Sequence, residues 1–538
     1  MRSSLENLRQ SGVLVCRFGL ILMFCAWSAS CGGGAGAGST TVTPPPTQPP
    51  PATEQLSPSD VQMLVQAAAT ATNQSGDIVI AVVDRLGNIL GLYQPSTAPA
   101  TLPGNFGVAT PSNELAVSLA RTGAFFSNDQ APLSSRTVRF ISGIHFPPGV
   151  INSANAALYG IENTNRACSL APGLSSTIPP ATLINGSSPG IGITTGKANL
   201  VDSDAEAVNP GGVPIFKNGQ EVGGIGVAAA DPNIAEYVAY AASAMTALNG
   251  PNSMTDGVGF PQFPAPGVVS IGGITLPFVN QTTLPSEANS PGTYDPTAFH
   301  PKLSSVIPPV GDLIPESAGS GGLTLTDVQQ IVTNAVATAN TTRAQIRLPI
   351  GVKAKMMIAV SDLDGTLLAL YRMPDATIFS IDVAATKARN VIYFSSSARQ
   401  PADLNQVPMG TAVTNRTIGF GAQPFFPPGI DGSAPGPFFN LYNRDVANPC
   451  TQGLQVPGAA WPKTNQSGIV FFPGSEPLYK NGVLVGGLGV SGDGVDQDDY
   501  VTAGGGAGFE ADPSIRADQI VIDGVRLPFL KFPRNPTD

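Results

Sequence analysis

The sequence predicts an α+β protein made of two tandem copies of one unit, in which an amphipathic helix covers an antiparallel β-ribbon. Three observations carry the prediction: helix openings that match at Leu56 and Leu323, hairpin patterns that match at Ile78 and Met356, and closing hairpins that match at Pro214 and Pro477. Self-similarity at this level is the signature of a duplicated unit.

The helix openings are LSPSDVQMLVQAAATATN and LTLTDVQQIVTNAVATAN. Each has a hydroxyl N-cap, Ser57 or Thr324, with Asp60 or Asp327 in the first turn to complement the helix dipole. Apolar residues recur at helical spacing, as Val61, Leu64, Val65, Ala68 and as Val328, Ile331, Val332, Ala335. The hairpins follow, IVIAVVDRLGNILGLY and MMIAVSDLDGTLLALY, turning around Gly87 or Gly365 between aliphatic and β-branched runs. A second helix is expected over Ser112 to Ser127 and over Ser380 to Ser396.

Farther on, Arg136-Thr137 with FPPGV matches Arg416-Thr417 with FPPGI, and each segment leads to a lone cysteine. The closing units, PIFKNGQEVGGIGV and PLYKNGVLVGGLGV, hold the two-residue turns Asn218-Gly219 and Asn481-Gly482. Glycines inside the second strand imply a bulge or a close approach of another backbone. Each copy ends on an apolar segment, ITLPFV or VRLPFL. The copies therefore span 56–280 and 323–534, with a Pro/Ser/Gly-rich linker over 281–322.

A chain of 538 residues exceeds one ordinary core, and 61 Gly and 51 Pro against 12% charged residues point to long ordered loops or linkers. The net charge of -10, with no local Lys/Arg cluster, excludes nucleic acid as an expected partner. Residues 1–31 read as an export signal: Arg2, Arg9 and Arg17 precede an apolar run from Phe18 to Trp27 that is too short to span a bilayer. Ser28-Ala29-Ser30-Cys31 resembles the bacterial lipobox, although Ser28 stands where an aliphatic residue is usual. Lipidation of Cys31 and a flexible, then polyproline-stiffened tether over 32–55 would hold the module off a membrane. The expected location is the bacterial cell envelope, on the outer membrane or cell surface.

Taken together, the second copy resembles the GlcG/HbpS family, also called the haem-degrading domain family. The resemblance rests on AVSDLDGTLLALYRMPDA, on the Ser and Lys-Ala helix SIDVAATKA, and on YKNGVLVGGLGVSGDGVDQDD with its Gln-Asp pair. The first copy is degenerate: Gln94 and Pro95 stand for Arg372 and Met373, an apolar neighbourhood at Leu119 for Lys387, and Ile234 and Ala235 for the Gln-Asp pair. Both copies carry Pro/Gly-rich insertions longer than the family usually has. The resemblance implies profilin-like domains with an antiparallel sheet flanked by helices, related by a pseudo-twofold, which form homo-oligomers and bind haem or a related tetrapyrrole. Cys168 and Cys450 occupy equivalent positions, so near such an axis they either pair or remain small buried residues.

Haem calls for an apolar slot, cations for its propionates and an axial side chain. The resemblance assigns Tyr371 and Met373 as candidate ligands and Arg372 and Lys387 as propionate partners; the alternative is a strand-end aromatic, a core methionine and two solvated cations. His145 and His300 are the only histidines, and no Ser/His/Asp or Cys/His constellation assembles from them. Enzymatic activity is therefore left open, with binding favoured over catalysis. Two other readings stay open: a structural lipoprotein that has lost the ligand site, and a metal-dependent phosphatase. The second rests on Asp362-Leu363-Asp364-Gly365-Thr366, which has the form of a haloacid-dehalogenase-like nucleophile motif. LLALY after it reads as a return strand, which argues against a phosphatase. Gly487, Gly489 and Gly492 spell a dinucleotide motif in the wrong context, after a hairpin turn. Asp493, Asp496, Asp498 and Asp499 are either a cation site or the acids of a helix N-terminus.

Overall fold

A computed structural model describes residues 53–104, 109–161, 164, 168, 210–244, 269–279, 284–447, 450–453 and 466–537. The export signal, Cys31 and most of the tether lie outside the described residues. Residues Gln48–Asp538 form one compact unit. Among the described residues no helix is long and apolar enough to cross a membrane.

The first half runs α1 (Pro58–Thr70), β1 (Val79–Asp84), β2 (Ile89–Tyr93), β3 (Thr101–Pro103), β4 (Ala109–Pro111), α2 (Ser112–Phe126), α3 (Ser135–Phe140), β5 (Gly212–Lys217), β6 (Gln220–Ala228), α4 (Pro232–Ser243), β7 (Ser270–Ile271) and β8 (Ile274–Thr275). Two short strands follow, β9 (Phe299–Pro301) and β10 (Gly311–Ile314). The second half runs α5 (Leu325–Thr341), β11 (Met357–Ser361), β12 (Leu367–Arg372), α6 (Phe379–Ser395), α7 (Asn415–Gly421), α8 (Phe439–Ala447), β13 (Ser475–Lys480), β14 (Val483–Ser491), α9 (Val495–Gly505), β15 (Val521–Ile522) and β16 (Val525–Arg526).

Two five-stranded antiparallel sheets result, ordered β5-β6-β1-β2-β9 and β13-β14-β11-β12-β10. The strand order is the same in both halves. The segment expected to be only a linker supplies the outer strand of each sheet, β9 against β2 and β10 against β12. An edge strand needs only a few backbone hydrogen bonds, so this proline-rich stretch covers an exposed edge despite its weak strand composition.

Local chemistry repeats as faithfully. Ser57 with Asp60 and Thr324 with Asp327 close capping boxes on α1 and α5, and Lys217 and Lys480 reach those acids at 2.9 and 2.8 Å. Asn218-Gly219 and Asn481-Gly482 all take positive φ, the requirement of the tight turn that joins each closing hairpin. Arg121 and Arg389 donate to the carbonyls of Gly87 and Gly365 at 3.0 and 2.8 Å, pinning α2 and α6 to the first hairpins. Thr137 and Thr417 donate to the carbonyls of Pro277 and Pro528, which fastens the terminal LPF segments.

The glycines of β6 and β14 are explained by helix approach. A Cβ at Gly226 or Gly489 would collide with the carbonyl oxygen of Ala116 or Ala384. The helix backbone thus lies directly on the sheet. The opposite sheet faces carry α1 with α4, and α5 with α9, over separate apolar clusters. On the inner side α2, α6 and inward residues of both sheets merge into one cluster, with Phe126 stacked on Phe379 at 4.3 Å.

The halves are also joined by polar groups. Arg85 meets Glu221 at 2.5 Å and Asp375 at 2.6 Å, while Arg347 meets Asp375 and Asp493 at 2.5 Å each. Burial opposes ionisation of Asp375, but these two guanidiniums hold its carboxyl down at about 2. His145 bonds Asp431 at 2.9 Å, Tyr159 stacks on Tyr442 at 5.2 Å, and Cys168 forms a disulfide with Cys450 across a Cα separation of 5.2 Å.

Candidate functional site

The four side chains assigned from the resemblance do not converge. Tyr371 and Met373 lie on the α5 side of the second sheet, Met373 fully buried and accepting from the Met356 amide at 3.4 Å. Arg372 points to the opposite face by strand alternation, and its guanidinium is spent on the carbonyls of Ala376 and Pro309. Burial and the nearby Arg85 bring that group down to about 9. Burial also raises the Tyr371 hydroxyl, as do Asp312 and Glu316 beside it.

Lys387 is wholly buried. Its ammonium donates to the Val490 carbonyl at 2.8 Å and to Asp498 at 3.0 Å, and it sits 5.0 Å from the centre of the Phe472 ring. Burial lowers Lys387 and pushes Asp498 up to about 7, with each partner opposing the other's shift. A lysine so enclosed does not rim a pocket. In this arrangement Arg372 and Lys387, expected as propionate partners, are both committed to internal groups.

The acid cluster of the second half is also committed. Asp493 is paired with Arg347, Asp496 with Arg416 and Lys531, Asp498 with Lys387, and Asp499 with Arg416. Among the described residues no group of three or more metal-binding side chains is placed to hold an ion. The phosphatase alternative fails on geometry. β11 and β12 form an antiparallel hairpin instead of a strand and crossover. Asp362, the candidate nucleophile, accepts from the amides of Ser320, Gly321 and Leu363 and from the Ser320 hydroxyl, all at 2.7–2.9 Å. Burial opposes ionisation there, but those four hydrogen bonds outweigh it and keep the carboxylate below its ordinary range. It is a loop anchor, with no lone pair directed at a substrate.

A site emerges elsewhere, at the seam between the halves. The connection from α5 to β11 is much longer than its counterpart from α1 to β1, and the extra residues form one wall of a groove of about 550 Å³. The other walls come from the β7–β8 hairpin, the start of α9 and the tail at Pro533 and Arg534. Ile346, Leu348, Ile350 and Val269 supply apolar surface; Arg343, Arg347, Arg534 and Gln497 supply polar groups. Arg347 is paired as described, and Asp496, the groove's carboxylate, is neutralised by Arg416 at 2.7 Å and Lys531 at 2.8 Å. Arg343 and Arg534 have no side-chain partner among the described residues. The Oε1 of Gln497, a residue 4% exposed, is buried without a hydrogen bond. Such an orphaned acceptor carries an uncompensated desolvation cost.

The groove adjoins a smaller apolar cavity of about 30 Å³ through the shared residues Gln345 and Ile346. Phe126, Phe379, Phe472, Ile271 and Val495 line that cavity, with Asp498 at its edge. Alone it holds a water or two. The groove, in contrast, lies within the range of about 300–1,000 Å³ usual for small-molecule sites.

Residues 323–505, which contribute the insertion wall and the α9 wall, match the family model described as haem degrading protein HbpS-like. This segment is similar to the HbpS-like family. Two solved structures are similar to parts of the chain. A PduOC:heme complex is 22% identical, with 35% of this chain and 96% of that one covered and a TM-score of 0.23. The Klebsiella pneumoniae protein ORFY, of the DUF336 family, is 19% identical, with 38% and 94% covered and a TM-score of 0.22. No curated protein matches. Within the HbpS-like segment, sequence reasoning missed Arg343 and Gln497 because neither belongs to a repeated pattern. The one available signal was the length mismatch between the two copies ahead of β11.

Proposed function

We propose that this chain is an extracytoplasmic binder of haem or a related tetrapyrrole, tethered to a membrane of the cell envelope through a lipid on Cys31. The binding site in this reading is the groove at the seam, and the two copies act as one module. One observation carries it: a partly apolar groove of suitable volume, walled in part by the HbpS-like segment, is rimmed by two unpaired guanidiniums, Arg343 within that segment and Arg534 in the tail beyond it. A tetrapyrrole is a flat apolar body with carboxylates on one edge, and arginine is the side chain suited to a carboxylate. The macrocycle would lie against Ile346, Leu348 and Ile350 with its carboxylates toward Arg343 and Arg534.

Titration of the purified chain with haemin, followed at the Soret band, tests this. A saturable shift is expected, weakened at least about ten-fold by R343A combined with R534A, since each charged hydrogen bond contributes about 1.5–3 kcal/mol. An R372A variant, which removes a cation committed to internal carbonyls, should leave the affinity of the folded protein unchanged. Uptake that does not saturate, or that ignores the Arg343 and Arg534 substitutions, overturns the assignment.

A further inference from the structure

Tetrapyrrole binding at the seam, if the preceding reading holds, still leaves the metal to be accounted for. Axial ligation of haem iron draws on His, Cys, Met or Tyr. None of these lines the groove or the adjoining cavity among the described residues. The chain has two histidines. His145 is buried and bonded to Asp431, against Phe425, and His300 lies on the outer strand β9 of the first sheet, paired with Leu92. Cys168 and Cys450 are consumed by their disulfide. The tyrosine next to the groove is Tyr500, one turn after Gln497 on α9, and its ring is packed edge-on against Phe532 at 5.5 Å.

We infer that the groove recognises the macrocycle and its carboxylates without a side-chain ligand to the metal, so that metal-free protoporphyrin and its iron and zinc complexes bind alike. Recognition then resides in groups that are blind to the metal: the guanidiniums of Arg343 and Arg534, the apolar wall at Ile346 and Leu348, and the neutral amide of Gln497. The described residues fit the organic body of a haem and do not fit its iron. A site of this kind collects or carries the pigment and leaves iron chemistry to whatever receives it.

The test is a parallel titration of the full chain with haemin, zinc protoporphyrin and metal-free protoporphyrin, read by absorbance and by quenching of tryptophan fluorescence. Dissociation constants within about three-fold of one another are expected, all weakened together by R343A with R534A. The Soret spectrum of the haemin complex should be identical in Y500F. Haemin held ten-fold or more tighter than the metal-free pigment, or a haemin spectrum altered by Y500F, overturns this inference while leaving tetrapyrrole binding intact. Failure of all three pigments to bind overturns both.

Discussion

Glu476 on β13 offers a sharp test of how the second half is built. It is 3% exposed, its Oε1 has no hydrogen-bond partner, and the matching position in the first closing hairpin is Val213. Burial, with Glu510 and Asp499 adding to it against Arg516, pushes its carboxyl from 4.5 up to about 8. At about 1.4 kcal/mol per unit, the fold favours the neutral acid by about 5 kcal/mol. The folded state therefore keeps a proton that the unfolded chain releases. The stability from this group is fully present below the unfolded value of 4.5 and is lost as pH rises through about 8. Between pH 5 and pH 8 linkage puts the loss at about 3 kcal/mol. Glu476→Gln cannot ionise and should escape it. Urea unfolding of parent and variant at both pH values measures the gap between them, and any pH-independent cost of the amide cancels in the comparison. The gap should move by about 3 kcal/mol in favour of the variant on going from pH 5 to pH 8. An equal gap at both pH values would refute the placement of a protonated acid in this core.

Two further outcomes follow from the seam. Asp375→Asn removes the charge shared by Arg85 and Arg347 and should destabilise the fold by about 3–5 kcal/mol, because it leaves buried guanidiniums under-compensated; urea unfolding showing a loss below about 1 kcal/mol would contradict the network. Replacing Cys168 and Cys450 by serine should lower the free energy of unfolding by up to about 5 kcal/mol for a sequence separation of 282 residues. Dithiothreitol should lower the parent to the level of that variant and leave the variant unmoved.

Much of the fold is legible in the sequence because the signals are local. The hydroxyl and acid at the start of α1 and α5, the Asn-Gly turns and the alternating strands all act within a few residues, so each can be read where it stands. The glycines of β14 point to a close neighbour, but only the fold reveals that α6 is that neighbour. The candidate site is less legible, since its contacts join distant residues. Arg85 reads as a turn residue and becomes the partner of Asp375, 290 positions later; Lys387 reads as a cation for a ligand and is instead tied to Asp498, 111 positions later. The outer strands β9 and β10 escape notice for a related reason. Their composition is that of a linker, and the sheet edges that order them are defined elsewhere in the chain.

The two halves use one strand order but place their buried charges differently. Where the second half buries Lys387 with Asp498, the first has Leu119 and Ala235, and where the second buries Glu476 the first has Val213. An apolar pair is the less costly occupant of such sites, because burying two charges carries a desolvation penalty that their attraction rarely exceeds. The charged versions thus work against stability, and the exchange runs both ways: the first half buries Arg85 with Glu221 where the second has Leu363 and Leu484. The first half also contributes the β7–β8 wall of the groove, so both halves bury charge and both shape the seam.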